Sequence, residues 1–410
     1  MMSRVVRGVS AAAALVFLGC GGGTAPRGPS SVETPSNEAS SDARRELDGV
    51  IASEMKNAHV PGVAIVAVKG DAVVLSAGYG LADIASGRKM TPDDVMLVAS
   101  ISKTVTATAL LQKRERGAID LDDDVNAKAP FAVRNPRYPR EPITYRMLLT
   151  HTSSIADSDV LEEHVVTGGD SPEPLKDFLS SYLEPEGELY APEHWASKRP
   201  GEAYDYSNVA VALEGALDEV LAGETLEADC KAHIFGPLGM AETSWSYAAL
   251  DPKRMATLYG WGHPEGESAE RFEALEPYGF PDYPDGQLRT SALQLSVFMR
   301  MLMSGGTFQG VKVLDRKTVE AMLEPQVPEL EPSQGLALYY EDFGDADSHL
   351  WHLVGHSGSY DGVSADMFWD PVTKVGFVLI ANSDVYLRAD EREEDALMAI
   401  ETAVLAYASR

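Results

Sequence analysis

The sequence has little cysteine: Cys20 and Cys230 are the only two in 410 residues. Cys20 lies close to the N-terminus, so a network of intramolecular disulfides is excluded. The fold must instead be stabilised by burial of its hydrophobic residues, which make up 44% of the chain. We expect Cys230 to be a small buried apolar residue.

Basic residues are also scarce, with 34 Lys and Arg against 63 Asp and Glu, which gives a formal net charge of −29. Such an acidic surface repels the phosphates of nucleic acids, so we expect no nucleic-acid partner. The same charge favours solubility. The length of 410 residues predicts one large domain with a subdomain, or two domains.

The N-terminal apolar segment, residues 11–18, is too short to span a bilayer. It follows Arg4 and Arg7 and is typical of a secretory signal peptide, which we place at residues 1–19. The sequence Phe-Leu-Gly-Cys20 resembles the lipobox of bacterial lipoproteins, in which the cysteine is lipidated. We therefore expect a periplasmic or cell-envelope protein that contacts a membrane only through Cys20. Plain secretion after cleavage nearby is the alternative.

A flexible tether is predicted for residues 20–42, which are rich in Gly, Pro, Ser and Thr. The folded domain is then residues 43–410. Strand patterns occur near both chain ends, and a mainly helical subdomain is predicted between about 117 and 345. This arrangement predicts an α+β fold in which one antiparallel sheet is built from both ends of the chain and flanked by terminal helices. Strands are predicted at 62–68, 72–76, 363–369 and 374–381, with terminal helices at 44–58 and 390–408.

Three Ser-x-x-Lys tetrads occur, beginning at Ser53, Ser86 and Ser100. Only Ser100 directly precedes a helix with an apolar face, where the helix dipole stabilises a developing negative charge. Lys103 lies three residues later on the same helical face. We expect apolar surroundings to lower the pKa of Lys103 until it can act as a base. Alternatively, Ser100 is simply the N-cap of the helix.

Two further motifs support Ser100. Tyr206-Ser207-Asn208 is the only Tyr-x-Asn sequence, and His356-Ser357-Gly358 is the only His/Lys-Ser/Thr-Gly sequence. The order of the three motifs resembles the serine β-lactamase and D,D-peptidase superfamily, in its class C branch. The resemblance extends from about residue 43 to the C-terminus and includes segments 148–153, 236–240 and 286–291.

The resemblance implies a β-lactamase/transpeptidase-like fold and a serine hydrolase. Ser100 matches the nucleophile, Lys103 its proton-sharing partner, and Tyr206 the phenol that passes a proton to the leaving group. Asn208 resembles the amide that orients the substrate or Lys103. The implied reaction is cleavage of an amide or ester through an acyl-enzyme, as in D,D-carboxypeptidases, β-lactamases or esterases. The substrate is then a small molecule or peptide with a carbonyl group, and no metal or organic cofactor is implied.

The third motif implies a substrate-binding strand. The backbone N–H groups of Ser100 and Ser359 would form the oxyanion hole, and Gly358 would leave room for substrate beside Ser357. His356 stands where class C β-lactamases usually carry lysine, which weakens the case for an efficient β-lactamase because histidine is cationic only below about pH 6.5. Ser154 stands where the family usually has glycine, and we expect this change to affect only a turn.

Three other interpretations are weaker. Residues 355–359 superficially resemble the nucleophile elbow of α/β-hydrolases, but no histidine follows His356 to complete a triad. A metal site at His349, His352 and His356 is disfavoured, because residues three apart on a strand point to opposite faces. A non-catalytic, penicillin-recognising or cell-wall-binding protein on the same fold is the third alternative. The oligomeric state and the exact substrate are left open by the sequence.

Overall fold

The computed structural model describes residues 37–262, 270–345, 349–388 and 390–410. The predicted signal peptide, Cys20 and most of the predicted tether lie outside these residues. The first helix begins at Asn37, so it includes the end of the segment predicted as a tether. None of the described helices has the length and apolar character needed to cross a membrane.

The helices are distributed along the described chain and include two long ones at its ends. They are α1 (Asn37–Asn57), α2 (Ser102–Glu115), α3 (Tyr145–Leu149), α4 (Val160–Glu163), α5 (Leu175–Leu183), α6 (Asn208–Ala222), α7 (Leu226–Cys230), α8 (Gly236–Leu238), α9 (Ala292–Met303), α10 (Arg316–Leu323) and α11 (Glu391–Ser409). Short 3₁₀ turns at Ala99–Ile101 and Tyr283–Asp285 border the site described below.

The described strands form one large sheet and several two-stranded ones. They are β1 (Gly62–Lys69), β2 (Ala72–Asp83), β3 (Arg88–Lys89), β4 (Val95–Leu97), β5 (Val166–Thr167), β6 (Tyr259–Gly262), β7 (Arg271–Ala274), β8 (Tyr278–Gly279), β9 (Arg289–Ser291), β10 (Thr307–Phe308), β11 (Val311–Lys312), β12 (Tyr339–Asp345), β13 (His349–Tyr360), β14 (Val363–Trp369) and β15 (Val375–Ala381).

The large sheet has seven strands in the order β12-β13-β14-β15-β1-β2-β3, and neighbouring strands are antiparallel. Strand β1 pairs with β15 from Val63 opposite Ala381 to Lys69 opposite Val375, which joins the two ends of the chain. The α+β prediction is therefore confirmed. The predicted strands at 363–369 and 374–381 correspond to β14 and β15, which are buried along their whole length.

Two hydrophobic cores cover the two faces of this sheet. On one face, α1 and α11 pack together and bury Ile51, Leu397 and Ile400. On the other, α2 and α9 lie between the sheet and the middle region. Burying a Leu or Ile side chain contributes about 1.5–3 kcal/mol, so both faces stabilise the sheet. The middle region consists of α3 to α8, α10 and short two-stranded sheets.

Candidate active site

Ser100 lies in the 3₁₀ turn that leads into α2, at 6% exposure. Ala99, directly before it, has a φ of +45°, a left-handed conformation that is unfavourable for a residue with a Cβ. The turn is held by the Val98 N–H, which donates to the Leu288 carbonyl at 2.9 Å. The N-cap residue of α2 is Ile101. Ser100 is therefore not the helix cap, and strained backbone presents its hydroxyl.

Lys103 is fully buried one turn along α2. Its Nζ donates to Ser100 Oγ at 3.1 Å and to the Asp285 carbonyl at 2.8 Å, and lies 3.5 Å from Asp285 Oδ2. The same nitrogen is 5.1 Å from the centre of the Tyr206 ring. The side chains of the first two motifs therefore lie side by side in the structure.

The expected lowering of the Lys103 pKa is wrong. Burial lowers the pKa of Lys103, but the charges of Tyr206 and Asp285 together raise it by more. The pKa of Lys103 therefore lies above its ordinary value. The sequence-based argument considered only the apolar neighbours along α2. Lys103 is consequently an ammonium group in the resting site, donating its hydrogen bonds to Ser100 and Asp285.

Tyr206 directly precedes the N-cap of α6, and the first residues of that helix are held by Asp157. The Asp157 carboxylate accepts bonds from the Ser207 hydroxyl at 3.1 Å, the Asn208 N–H at 2.8 Å and the Val209 N–H at 3.1 Å. These amides belong to the positive end of the helix dipole, which favours the carboxylate there. The Asn208 backbone N–H therefore bonds Asp157, which fixes the start of the helix next to Tyr206.

The ring of His151 supports Tyr206 from the other side, with ring centres 4.3 Å apart. Its Nδ1 lies 3.2 Å from the Ser207 N–H and accepts that hydrogen bond. Burial, followed by the Lys103 cation, lowers the pKa of His151 well below its ordinary value. His151 is therefore a neutral ring that positions the tyrosine motif.

The third motif lies on β13 next to Ser100. Strand β12 pairs with β13 only as far as Gly355, so β13 from His356 to Tyr360 pairs with β14 alone within the described sheet. The Ser357 N–H points to the open edge, where it donates to the Tyr339 hydroxyl at 3.0 Å. Because N–H groups two residues apart on a strand share an edge, the Ser359 N–H points the same way.

Gly358 brings this edge against the nucleophile turn. A Cβ atom on Gly358 would lie 2.2 Å from the Val98 carbonyl oxygen and 3.2 Å from the Ser100 amide nitrogen. The expectation that glycine leaves room for substrate is therefore incomplete. Glycine is required here first because the strand and the backbone before Ser100 are in direct contact.

His356 is buried beside this edge and carries no charge. Burial and then the Lys103 cation lower its pKa to about 3, although a hydrogen bond to the Ser357 carbonyl acts in the opposite direction. The ring Nδ1 donates to that carbonyl at 2.6 Å, which leaves Nε2 as an acceptor. The site thus offers a neutral imidazole where a lysine would offer a cation.

The structure also shows the surroundings of Ser154 and of the two other Ser-x-x-Lys tetrads. Ser154 adopts a φ of +67°, which explains why glycine suits this turn, and its hydroxyl accepts a bond from Asn135 Nδ2 at 3.0 Å. Ser53 is exposed on α1, and Ser86 lies in a turn where it bonds Asp83. Neither tetrad has a site around it.

One group of histidine and acidic side chains in the described part of the chain has the spacing of metal ligands. Within the described residues, the cluster with suitable spacing is Glu224, Asp229 and His233. The Asp229 carboxylate is already paired with Lys113 at 2.6 Å. His352, from the disfavoured histidine set, pairs with Asp342 at 2.7 Å. We assign no metal to either set.

The comparison with protein families agrees with this geometry. Residues 47–401 match the family described as Beta-lactamase. The chain belongs to the Beta-lactamase family. Its relatives include Protein flp of Staphylococcus aureus (strain N315), which is 25% identical over 342 residues, covering 83% of this chain and 63% of that protein. The chain thus spans less than two thirds of that relative.

Another relative of this Beta-lactamase family member is Esterase EstB of Burkholderia gladioli, 32% identical over 237 residues, which are 56% of this chain and 57% of that one. Among solved structures, D-amino acid amidase from Ochrobactrum anthropi SV3 superposes with a TM-score of 0.69 at 21% identity, covering 88% of this chain and 98% of that one. This similarity shows the shared fold.

Sequence reasoning missed two acidic residues of the candidate site. Asp157 follows the segment 148–153 by a few residues, and Asp285 directly precedes the segment 286–291. Their closeness to segments already noted was the only available signal. Both contact residues far away along the chain: Asp157 and Asn208 are separated by 51 positions in sequence, and Asp285 and Lys103 by 182.

Proposed function

We propose that the protein is a serine hydrolase that cleaves esters or amides through an acyl-enzyme on Ser100. The observation that carries this proposal is the buried Lys103 Nζ, 3.1 Å from Ser100 Oγ with Tyr206 beside it. A serine hydroxyl is a weak nucleophile unless a neighbouring group takes its proton. A purely binding site has no need of this arrangement, so the non-catalytic alternative lacks support.

In this mechanism, Ser100 Oγ attacks the substrate carbonyl while its proton moves to the Lys103–Tyr206 pair. The N–H groups of Ser100 and Ser359 stabilise the oxyanion, and Tyr206 passes a proton to the leaving group. Water then hydrolyses the acyl-enzyme. Asn208 and Ser357 border the substrate. The Ser357 hydroxyl is suited to this because it has no hydrogen-bond partner among the described residues.

The substrate class is an ester or amide whose leaving group carries no carboxylate. β-Lactams and D-alanyl peptides present a carboxylate, which His356 meets with a neutral ring because its pKa is lowered to about 3. The net charge of −29 adds a long-range repulsion of anions. The esterase and amidase among the similar proteins are consistent with this class.

The test uses two substrates that form the same acetyl-enzyme: phenyl acetate and 3-carboxyphenyl acetate. We expect kcat/KM to be about tenfold or more higher for phenyl acetate, after correction for the hydroxide-catalysed rate of each ester, because a missing cationic partner is worth about 1.4 kcal/mol. Repeating the assay in 0.5 M salt removes long-range repulsion, since the screening length falls to a few ångströms, about 3–5 Å.

The His356→Lys variant is the matched control, because it restores a cation to the same position. Its preference should move toward the carboxylate ester. A wild-type enzyme that prefers 3-carboxyphenyl acetate at both salt concentrations, or that hydrolyses penicillin faster than either ester, would contradict the proposed substrate class.

The location proposed for the protein is the bacterial cell envelope, with a lipid on Cys20 after removal of residues 1–19. Its support is the sequence around Cys20, because these residues lie outside the described structure. In cells fed radiolabelled palmitate, the wild-type chain should carry label and partition into detergent. The Cys20→Ser variant should do neither. Equal partitioning of both proteins into the aqueous phase would indicate plain secretion.

A further inference from the structure

Asp285 is a buried carboxyl group in contact with Lys103. It ends the 3₁₀ turn Tyr283–Asp285, which packs against α2. Its backbone carbonyl accepts a bond from Lys103 Nζ at 2.8 Å, and its Oδ2 lies 3.5 Å from the same nitrogen. The exposed side-chain fractions are 9% for Asp285 and 1% for Lys103.

The carboxyl group is not needed to hold Lys103 in place. The carbonyl bond to Lys103 would be made by any residue at position 285, whereas the buried carboxylate has a large desolvation cost. Its Oδ1 has no hydrogen-bond partner in the described part of the chain. The Lys103 ammonium is thus the contact that compensates for the charge of Asp285.

We propose that Asp285 is a positioning residue that holds Lys103 as an ammonium above neutral pH and thereby sets the pH range in which Lys103 can accept the Ser100 proton. Burial raises the pKa of Asp285 to about 7, although Lys103 opposes this rise. The carboxyl therefore changes its charge where the enzyme would work. The inference rests on the hydrolase activity proposed above.

The two groups share protons as a coupled pair. At low pH both are protonated, and Lys103 has no free lone pair. After loss of one proton, the pair is either ammonium with carboxylate or amine with carboxylic acid. The ratio of these two forms does not depend on pH. The amine form takes the Ser100 proton, so kcat/KM should rise with pH up to about 7 and then become level.

Other titratable groups face this pair, and they must be distinguished from Asp285. His151 and His356 are neutral, since their pKa values are lowered. The pKa values of Asp157, Glu214 and Asp282 are raised, chiefly by burial. Among the described acids, Asp285 is the one that forms an ion pair with Lys103. Tyr206 and Tyr360 also border the pair.

The decisive variant is Asp285→Asn, which keeps the size and the backbone carbonyl but cannot titrate. With phenyl acetate as substrate, we expect it to match the wild type below about pH 6 and to lose the levelling near pH 7. Its kcat/KM should continue to rise and exceed that of the wild type about tenfold by pH 9, because no carboxylate then holds Lys103 as an ammonium. Glu214→Gln removes another buried acid near Lys103 and is the matched control, which should keep the levelling.

A uniform loss at every pH would indicate a purely structural role and overturn the proposal, as would levelling that persists in Asp285→Asn. NMR of protein labelled at aspartate ¹³Cγ gives a readout that needs no turnover. The Asp285 resonance, assigned by its absence in Asp285→Asn, should titrate near pH 7 in the wild type and at higher pH in Lys103→Met. Titration near pH 4 in both would also refute the coupling. A wild type without esterase activity but with the expected titration would disprove only the proposed function.

Discussion

Replacing Ser100 with alanine is expected to reduce ester hydrolysis by at least about 10³-fold while leaving the melting temperature within a few degrees of the wild type. Loss of a catalytic nucleophile removes the covalent route entirely, and only the contribution of substrate binding and oxyanion stabilisation is left. The fold should tolerate the change, because the lost bond to Lys103 at 3.1 Å is one of two that this ammonium donates to described residues. Initial rates and thermal unfolding measure the two effects separately.

Ser53→Ala is the matched control, since Ser53 also begins a Ser-x-x-Lys tetrad but is exposed on α1. It should keep full activity. Intact-protein mass after mixing with substrate should show an acyl adduct in the wild type and in Ser53→Ala, and none in Ser100→Ala. Undiminished hydrolysis by Ser100→Ala would refute the assignment of the nucleophile. Absence of turnover in the wild type would favour the non-catalytic binding protein instead.

The fold class and the contact between Ser100 and Lys103 could be predicted from the sequence, because both depend on local patterns. Ser100 and Lys103 are three residues apart on one helix, so their contact follows from helical geometry alone. Strands β14 and β15 are runs of apolar residues on either side of a hairpin signal, and they appear as predicted. Local patterns of this kind do not depend on the rest of the chain.

Strand β13 illustrates what local patterns miss. It begins at His349, and none of the strands predicted from the sequence pattern covers it, although the family resemblance implied a strand at the third motif. Its first half carries His349 and His352, which are exposed, so the alternation typical of a half-buried strand is obscured. The strand forms because β12 and β14 pair with it from both sides.

The pKa of Lys103 also could not be predicted from local sequence patterns. Its apolar neighbours lie on its own helix, whereas Tyr206 and then Asp285, which is 182 positions away, approach from other elements and together reverse the direction of the shift in its pKa. The sign of a pKa shift depends on charges that the whole fold brings together. Sequence motifs therefore predicted which side chains lie together better than their protonation states.

Gly358→Ala is expected to lower kcat/KM by about 10²-fold, because the new methyl group would collide with the Val98 carbonyl. The methyl carbon would lie 2.2 Å from that oxygen, which is backbone and cannot rotate away. Either β13 or the turn carrying Ser100 must move, and displacement of the nucleophile from the Ser359 N–H disrupts both attack and oxyanion stabilisation. Overpacking of this kind should also reduce the free energy of unfolding by about 1–3 kcal/mol.

Gly49→Ala provides the same chemical change where no atom obstructs it, since a Cβ on Gly49 meets nothing within 4 Å. Gly49 lies inside α1, and alanine there should stabilise the protein by up to about 1 kcal/mol without altering kcat/KM. The comparison separates contact at the site from the general effect of a methyl group. If Gly358→Ala retained full activity, β13 could not be seated against the Ser100 turn during catalysis, and the oxyanion role of Ser359 would have to be abandoned.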